Sequence, residues 1–521
     1  MGGVDTLERT EQRAARLPKR VAALIGVLAV AAALAAGHLV AGFIGPNASP
    51  FLAVGNSAID LTPPALKNFA VETFGTYDKL VLLSGMALTI LLFAVVAGLL
   101  SRRRPLPGMV LAGVLGVLGV IAVLNRPDLG QLAVLAPIAS LGAGVGSFCY
   151  LHGLAMARLS TSDGDGTSRR KFLVTSAGVA VGAGVFGGLG QFLAGRVDVE
   201  GSRAAVGVLK PAVPAPAIPT GAEFSSLGTT KFITSNREFY RIDTALTVPR
   251  VRAEDWHLKI HGMVDNELSL DFGDIRGRKL VEKTITMTCV SNEVGGPYIG
   301  TSNFIGVPIR ELLMEAGVRP GADQLFSTSV DGWNTGTPLD ALMDEKRGAL
   351  LAIGMNGEAL PVEHGFPARM VVPGLYGYVS ATKWVVDMEV TRFGAKSFYW
   401  LDRGWAERAP IKTQSRIDVP QGFATVPAGK VTVAGIAWAQ NTGIDKVEVR
   451  IDGGPWRAAE LAVEVNNQTW RQWKVDFDLP AGSHQAQVRA TDRSGRTQGE
   501  ERVPPIPDGA TGWHSSLFTV K

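Results

Sequence analysis

Long apolar runs dominate the first 200 residues, and shorter runs that mix apolar and polar positions follow them. A bilayer core about 30 Å thick needs roughly 20 apolar residues in a helix that rises 1.5 Å per residue. The stretches that reach or approach this length are Val21 to Ile44, Lys79 to Leu100, Pro107 to Leu124, Gln131 to Met156 and Phe172 to Ala194. The pattern predicts a helical transmembrane domain of about five spans over residues 1–194. The short third stretch could alternatively be a buried core helix.

The pattern changes twice after residue 194. Residues 195–230 contain the run K-P-A-V-P-A-P-A-I-P-T, which is typical of an extended, proline-rich linker. Residues 231–415 mix strand-like runs, such as Lys283 to Val290, with helical spacing at Val307 to Ala316, which predicts an α+β domain. Residues 416–521 have period-two runs separated by glycine turns, which predicts an all-β Ig-like sandwich.

The charge distribution predicts which side of the membrane each part occupies. Residues 1–200 hold 16 Lys+Arg against 11 Asp+Glu, so they carry the whole basic excess behind the net charge of +4. Basic clusters precede the first apolar stretch and follow the second and the fourth. By the positive-inside rule the N-terminus is cytoplasmic, and five spans place everything after Ala194 outside the cytoplasmic membrane. An even number of spans would invert that location.

A short motif at the start of the fifth stretch supports the odd count. Ser168 to Leu173 reads S-R-R-K-F-L, which resembles a twin-arginine export signal placed internally. A basic cytoplasmic flank that happens to contain two arginines is the alternative. Twin-arginine export carries folded proteins, so the resemblance implies that the C-terminal part folds, together with any cofactor, before it crosses.

The titratable residues suggest few sites. His38 and His152 lie in apolar stretches but near opposite ends of the membrane, so we expect helix-packing histidines and no shared haem. The exterior part lacks the P-loop, zincin, paired C-x-x-C and nucleophile-elbow motifs. It has a single thiol, Cys289, at the end of a strand-like run. That thiol is either a buried inert cysteine or a metal ligand or nucleophile.

The residues around Cys289 carry a family resemblance. The runs are T-M-T-C-V-S-N at Thr286 to Asn292, G-V-P-I-R-E-L-L at Gly306 to Leu313, D-G-W at Asp331 to Trp333, M-N-G-E-A-L-P-V-E-H-G-F-P-A-R at Met355 to Arg369, and V-V-P-G at Val371 to Gly374. Together they resemble the sulfite oxidase family of molybdopterin enzymes. The resemblance covers about 231–415, and 416–521 looks like that family's C-terminal dimerisation domain.

The resemblance implies a molybdenum-molybdopterin cofactor and a role for individual residues. Cys289 is implied as the thiolate ligand to molybdenum, a soft donor suited to that metal. Trp333 and Glu293 are implied to lie beside the catalytic centre. The residues implied to hold the pterin and its terminal phosphate are Asn236, Tyr240, Arg241, Thr328, His364, Arg369, Ser380, Thr382 and Lys383.

This chain also departs from the family pattern. Sulfite oxidases proper carry arginines just after the C-x-x-N, where this chain has Glu293 and Val294, and a tyrosine where Trp333 falls. An anionic substrate needs positive charge at its pocket, so sulfite is doubtful as the substrate. Glu293 or Asp331 could relay protons, a structural role being the alternative for each.

The resulting hypothesis is a membrane-anchored molybdenum oxidoreductase that moves an oxygen atom and two electrons between water and a small molecule outside the cytoplasmic membrane. No haem domain is recognisable, so we expect a separate cytochrome or quinone-linked electron partner. The resemblance suggests a homodimer through 416–521, and nothing suggests nucleic-acid binding. One alternative is a non-catalytic exported receptor or structural binding protein with a degenerate cofactor pocket. Another is a reductase of sulfoxide-type substrates that uses the same site in reverse.

Overall fold

The chain forms two compact units. The computed structural model describes residues 16–63, 66, 69–70, 73–74, 77–126, 129–160 and 166–521. The helical unit runs to Val197 and includes Thr244–Thr247, whereas the β-rich unit comprises Asp198–Asp243 and Val248–Lys521. The helical unit thus ends at Val197, three residues after Ala194, the end predicted for the transmembrane domain.

The helical unit contains the predicted apolar helices. Its helices are α1 (Lys19–Ile44), α2 (Pro50–Leu61), α3 (Asp78–Leu100), α4 (Leu106–Leu124), α5 (Leu135–Ser160) and α6 (Gly166–Ala194). Among the described residues, five helices are long and apolar enough to cross a membrane, and α2 is not one of them. The prediction of five apolar helices is therefore confirmed.

Glycines allow α1 to approach its neighbours closely. A Cβ on Gly26 would lie 1.9 Å from Ala94 O, and one on Gly98 would lie 2.0 Å from Ala22 O, so α1 and α3 meet backbone to backbone. A Cβ on Gly190 of α6 would lie 2.8 Å from His38 O of α1. Small residues at helix crossings are typical of membrane proteins, where close backbone packing drives association.

The two histidines of the helical unit have separate partners. His38 Nε2 lies 3.2 Å from Gln191 Oε1, and His152 Nε2 lies 2.7 Å from Ser101 O. His152 also stacks on Phe148, with ring centroids 6.3 Å apart. Both contacts match the predicted packing roles.

Residues 195–230, predicted as a proline-rich linker, contain regular structure within the β-rich unit. Helix α7 (Val199–Val206) begins at Asp198, whose carboxylate accepts a hydrogen bond from Gly201 N. Further along, Ala212 N donates to Leu280 O at 2.8 Å, and Val213 forms a β-bridge with Val281. The proline-rich run thus lies along the edge of a sheet.

The first part of the β-rich unit is an α+β fold, as predicted. Its strands are β1 (His257–Gly262), β2 (Leu268–Asp271), β3 (Val281–Thr288), β4 (Ile299–Pro308), β5 (Gln324–Ser329), β6 (Asn334–Pro338), β7 (Leu350–Met355), β8 (Glu358–Ala359), β9 (Arg369–Val371) and β10 (Val385–Thr391). One sheet has the order β2-β1-β10-β5-β6; the other has β3-β4-β7-β8, with β9 paired to β7. Helices α8 (Phe272–Arg276), α9 (Ile309–Ala316) and α10 (Leu339–Met343) complete a shared apolar core.

The second part is a two-sheet β-sandwich, which confirms the predicted all-β architecture. Its strands are β11 (Gln414–Val419), β12 (Thr425–Val426), β13 (Gly429–Trp438), β14 (Ile444–Ile451), β15 (Arg457–Ala458), β16 (Glu460–Leu461), β17 (Arg471–Leu479), β18 (Gly482–Asp492) and β19 (His514–Val520). The sheets have the orders β11-β13-β17-β16 and β12-β19-β18-β14-β15. Their inner faces enclose a separate apolar core.

Strand β3 is buried on both faces. In the sequence, Val281, Lys283, Ile285, Met287 and Cys289 alternate with polar positions, which predicts that Cys289 points to one face of the strand. Every residue from Thr284 to Cys289 is buried, including the threonines of the other face. That face is covered because the sandwich packs on it: Thr286 N donates to Gln468 O at 3.1 Å.

Candidate functional site

Cys289 lies at the carboxyl end of β3, where the chain turns back toward β4. Its N–H donates to Tyr298 O at 3.0 Å, and its carbonyl accepts from Asn292 N at 3.1 Å. The side chain is 8% exposed. Burial raises the pKa of the Cys289 thiol, and hydrogen bonds from Ser291 oppose that rise. The thiol is therefore protonated at neutral pH until a cation stabilises the thiolate.

Two polar groups beside Cys289 lack hydrogen-bond partners. Thr288 Oγ1 and Asn292 Nδ2 are buried and unpaired, although Asn292 Oδ1 accepts from Tyr298 N at 2.8 Å. A buried unpaired polar group is destabilising by about 1–3 kcal/mol, so such groups mark places where a ligand or water completes the network. Here they flank the only thiol of the β-rich unit.

Arg369 is a buried cation on β9. It is 5% exposed, and its Nη1 donates to His364 O at 3.1 Å. Burial lowers the pKa of Arg369 to about 10. No carboxylate forms an ion pair with it among the residues that the structure describes. A buried guanidinium without a counter-charge is the expected partner of an anionic ligand, and its planar donors suit phosphate oxygens.

His364 lies next to this cation as a neutral imidazole. Burial, together with the nearby Arg369 and Lys383, lowers the pKa of His364 to about 4. The Nε2–H of the neutral ring donates to Asn236 O at 3.0 Å. The ring packs edge-on against Phe239, with centroids 5.6 Å apart.

Lys383 adds a second buried cation and pairs with β9 through the bridge to Arg369. Its Nζ donates to Asp243 Oδ2 at 2.9 Å and to Glu363 O at 3.1 Å. Burial lowers the pKa of Lys383 to about 8, an effect that Asp243 opposes. Arg241 Nε contacts the same carboxylate oxygen at 2.9 Å. Arg241 and Lys383 thus share the Asp243 carboxylate, and Arg369, bridged to Lys383, has no ion pair among the described residues, which leaves an excess of positive charge for an anion.

Tyr240 connects the cations to the thiol. Burial raises the pKa of Tyr240, the nearby Cys289 raises it further, and Arg369 opposes the rise. The phenol therefore lies within electrostatic range of both groups and stays neutral at physiological pH. Its ring stacks on Phe239, with centroids 5.2 Å apart.

Asn236 holds the segment that carries Tyr240. Its Nδ2 donates to Glu358 Oε1 at 2.6 Å, and its Oδ1 accepts from Asn356 Nδ2 at 2.9 Å. Together with the His364 bond, these contacts fix the segment against the turn between β7 and β8. The structure thus brings together most of the residues that the sequence assigned to one site.

Comparisons with known proteins match the same part of the chain. Residues 245–399 match the family described as the oxidoreductase molybdopterin binding domain, and residues 408–514 match the Mo-co oxidoreductase dimerisation domain. Mitochondrial sulfite oxidase of Macaca fascicularis is 30% identical over 331 residues, which cover 53% of this chain and 59% of that protein. The uncharacterized oxidoreductase YuiH of Bacillus subtilis is 33% identical over 154 residues, covering 29% of this chain and 73% of that protein.

The chain belongs to the sulfite oxidase family of molybdopterin oxidoreductases. Members of this family are enzymes that bind a molybdenum-pterin cofactor, as the sequence resemblance implied. The match spans only 59% of the length of the mitochondrial relative. Among solved structures, the sulfane dehydrogenase SoxCD from Paracoccus pantotrophus is 24% identical with a TM-score of 0.48, covering 56% of this chain and 84% of that chain.

The geometry fits the family's cofactor. Among the described residues, no group of three or more His, Cys, Asp and Glu side chains could hold a metal ion. A thiol such as Cys289 suits a soft metal whose other ligands belong to a cofactor. The unpaired Thr288 and Asn292 atoms beside it, and the uncompensated Arg369, fit a polar and anionic group between them.

The remaining predicted site residues have other contacts or lie elsewhere. Ser380 Oγ donates to Tyr376 O at 3.0 Å, and Thr382 Oγ1 lies 2.7 Å from Ser327 Oγ, so both hydroxyls already have protein partners. Thr328 is half-buried on β5, opposite Asn334 of β6. Their roles in cofactor binding stay predictions.

The two residues predicted to lie beside the catalytic centre differ in exposure. Trp333 is half-buried in the turn between β5 and β6, where its carbonyl accepts from Ser329 N at 2.8 Å. Glu293 is exposed on the loop that follows Cys289. Each contribution to catalysis also stays a prediction.

Sequence reasoning missed Tyr376. The side chain is 1% exposed, and burial raises its pKa, with smaller contributions from Asp508 and from Cys289, so the phenol lies in the electrostatic range of the thiol. Gly509 approaches it so closely, at φ +100°, that a Cβ there would lie 2.5 Å from the phenol oxygen. The only signal in the sequence was its position two residues after the V-V-P-G run.

Proposed function

We propose that this protein is a membrane-anchored oxidoreductase that transfers an oxygen atom, together with two electrons, between water and a small substrate outside the cytoplasmic membrane. The observation that carries the proposal is the set of buried or half-buried residues Cys289, Tyr240, Arg369, His364 and Lys383. Their electrostatic coupling joins a single soft metal donor to an excess of positive charge.

Each side chain has a separable task. Arg369 and Lys383, with Arg241, bind the terminal phosphate of the pterin, and His364 orders the Asn236 segment beside it. Cys289 would hold the molybdenum through its thiolate sulfur, and the Ser291 hydrogen bonds favour the thiolate form. When bound, the molybdenum-pterin cofactor supplies the two-electron oxygen-atom chemistry.

The residues that we assign to the catalytic centre by resemblance argue against sulfite as the substrate. Glu293 is exposed on the loop next to Cys289, where an anionic substrate would require positive charge. Trp333 offers a broad apolar surface in place of a tyrosine hydroxyl. These residues favour a neutral or weakly charged small molecule. The same site could run as an oxidase or as a reductase.

The helical unit supports membrane anchoring. Leu17 N donates to Arg102 O at 2.9 Å, and Arg102 Nε donates to Leu17 O at 2.7 Å, so the start of α1 and the end of α3 meet on one side. A chain that crosses the membrane twice, through α1 and α3, returns to the side from which it started, so both points must lie on the same side. Basic residues at both ends make it the cytoplasmic side under the positive-inside rule.

Metal analysis tests the catalytic proposal. Detergent-purified protein from a host that makes molybdopterin should contain about one molybdenum per chain, and Cys289→Ser should lose the metal or change its coordination. Cys149→Ser is the matched control, because that thiol lies in α5 of the helical unit. Wild-type protein without molybdenum in a competent host would contradict the proposal and favour a non-catalytic binding protein.

A protease-protection experiment tests the location. Protease added to intact spheroplasts should digest the β-rich unit of the wild type. The paired change Arg169→Lys and Arg170→Lys, which keeps the charge but alters the twin-arginine motif, should leave that unit protected inside. The pair Arg103→Lys and Arg104→Lys is the control and should leave it accessible. Protection of the wild-type unit would contradict an exterior location.

Two partners follow from the proposal. Since the chain has no recognisable haem domain, a separate cytochrome or quinone-linked protein exchanges electrons with the site. The dimerisation domain over 408–514 supports a homodimer. Stopped-flow oxidation of the substrate-reduced protein by dye couples of different potential would establish the direction of electron flow.

A further inference from the structure

Side chains of the β-sandwich hold the loop that follows Cys289. Arg416 on β11 donates from Nη1 to Gly296 O at 2.9 Å, from Nη2 to Thr230 Oγ1 at 2.8 Å and from Nε to Asp418 Oδ1 at 2.8 Å. Asp418 Oδ2 also accepts from Thr230 N at 3.0 Å. Each of the three nitrogens of this guanidinium thus donates a hydrogen bond, one of them to the Cys289 loop.

His514 at the start of β19 contacts the neighbouring residue of the same loop. A Cβ on Gly295 would lie 2.3 Å from His514 Cδ2 and Nε2, so the imidazole lies directly on the glycine backbone. His514 Nδ1 accepts from Ile417 N at 2.9 Å, which fixes the ring on β11. Gly295 has φ +84°, a conformation in which a residue without Cβ is favoured.

The sandwich also bonds to the strand that carries Cys289. Thr286 of β3 accepts at its carbonyl from Gln440 Nε2 at 3.2 Å, and its Oγ1 accepts from Trp470 N at 2.8 Å. Its own N–H donates to Gln468 O. Because Thr286 lies three residues before Cys289 and Gly295 six residues after it, the sandwich contacts the cysteine segment on both flanks.

We propose that Arg416 and His514 are positioning residues that hold the Cys289 loop in its metal-binding conformation, so that the sandwich is a structural part of the metal site in addition to any role in assembly. The proposal rests on the proposed function for the identity of the metal. We call the contacts of Arg416 with Gly296 and of His514 with Gly295 the clamp. The clamp involves only residues of this chain. Neither residue is assigned to touch substrate or cofactor.

Thiol reactivity tests the clamp without the metal. Cofactor-free protein carrying Cys149→Ser has Cys289 as its only thiol, which is buried and protected from iodoacetamide. The paired change Arg416→Gln and Asp418→Asn removes the guanidinium fork without leaving a buried charge. We expect it to raise the alkylation rate of Cys289 about tenfold, equivalent to about 1.4 kcal/mol of easier loop opening. Arg489→Gln, on the sandwich strand β18, is the control and should leave the rate unchanged.

A double-mutant cycle tests the second contact. Gly295→Ala and His514→Ala should each raise the rate by roughly tenfold, the first by a clash and the second by loss of the supporting ring. If the two residues act through one contact, the double variant should stay near tenfold, whereas independent effects would multiply to roughly a hundredfold. Tryptophan fluorescence verifies that each variant remains folded.

Molybdenum content then connects the clamp to the metal. In a host that makes the cofactor, the Arg416 and Asp418 pair should lower the molybdenum per chain, and Arg489→Gln should not. Folded clamp variants with wild-type alkylation rates and a multiplicative cycle would overturn the inference. Wild-type protein without molybdenum would instead contradict the proposed function and leave the alkylation result valid.

Discussion

Arg369→Met should stabilise the cofactor-free protein while it abolishes cofactor retention. The guanidinium is 5% exposed and has no carboxylate partner among the described residues. In the absence of an anionic ligand, the folded state therefore carries a buried charge that the unfolded chain exposes to water. Methionine replaces the charge with a flexible apolar side chain that fits the space of the arginine stem.

The structure sets the size of the effect. Burial lowers the pKa of Arg369 from 12.5 to about 10, which corresponds to a penalty of about 3 kcal/mol for the charged form. The 3.1 Å bond from Nη1 to His364 O returns about 1–2 kcal/mol, and the longer 3.4 Å contact to Met370 O returns less. The free energy of unfolding should therefore rise by about 1–2 kcal/mol in the variant.

Urea unfolding followed by tryptophan fluorescence measures this change. All ten tryptophans lie between residues 256 and 513, so the signal reports the β-rich unit alone. Arg489→Met is the control, because it removes a pair with Glu448 and should lower stability by at most about 1 kcal/mol. A cofactor-free Arg369→Met protein that is less stable than the wild type would refute the reasoning. Retention of normal molybdenum would refute the phosphate-binding role.

Three further predictions use other parts of the structure. Because the pKa of His364 falls from 6.5 to about 4, the unfolded state binds more protons between those values, so wild-type stability should fall by about 3 kcal/mol as the pH drops from 6.5 to 4. His364→Gln should lack this part of the pH dependence in urea unfolding. Gly98→Leu should separate α1 from α3 and lower the thermal stability of the helical unit, whereas Gly178→Leu, which has open space around it, should not. Glu293→Arg should raise kcat/KM for sulfite by roughly tenfold at low salt, an effect that salt should weaken.

Local patterns were sufficient to predict the elements of this fold. Apolar length predicted the helices of the first unit, and the period-two runs after residue 416 predicted the strands of the sandwich. The helical spacing at Val307 to Ala316 correctly predicted α9, which spans Ile309–Ala316. These features depend on neighbours in sequence, which is why they could be read without the structure.

Long-range contacts limited the prediction of the site. Arg369 was assigned from its motif, but its lack of a counter-ion could not be known until β9 was placed beside Lys383. Tyr376 was in no motif, and Asp243, although it ends the run that carries Tyr240 and Arg241, was given no role, because the importance of both comes from the buried groups around them. The composition of the proline-rich run likewise predicted an extended segment, but it could not predict the sheet edge along which this segment lies.

Strand β3 keeps a regular polar–apolar alternation although both of its faces are buried. Ile285, Met287 and Cys289 are apolar, and the alternating Thr284, Thr286 and Thr288 occupy the other face, where hydroxyls in an exposed strand would meet water. Here Thr284 Oγ1 donates to Asn303 of β4, Thr286 Oγ1 accepts from Trp470 of the sandwich, and Thr288 Oγ1 is buried without a partner. Because threonines fit an exposed face equally well, the alternation alone could not show that the polar face of this strand is buried at the interface with the sandwich.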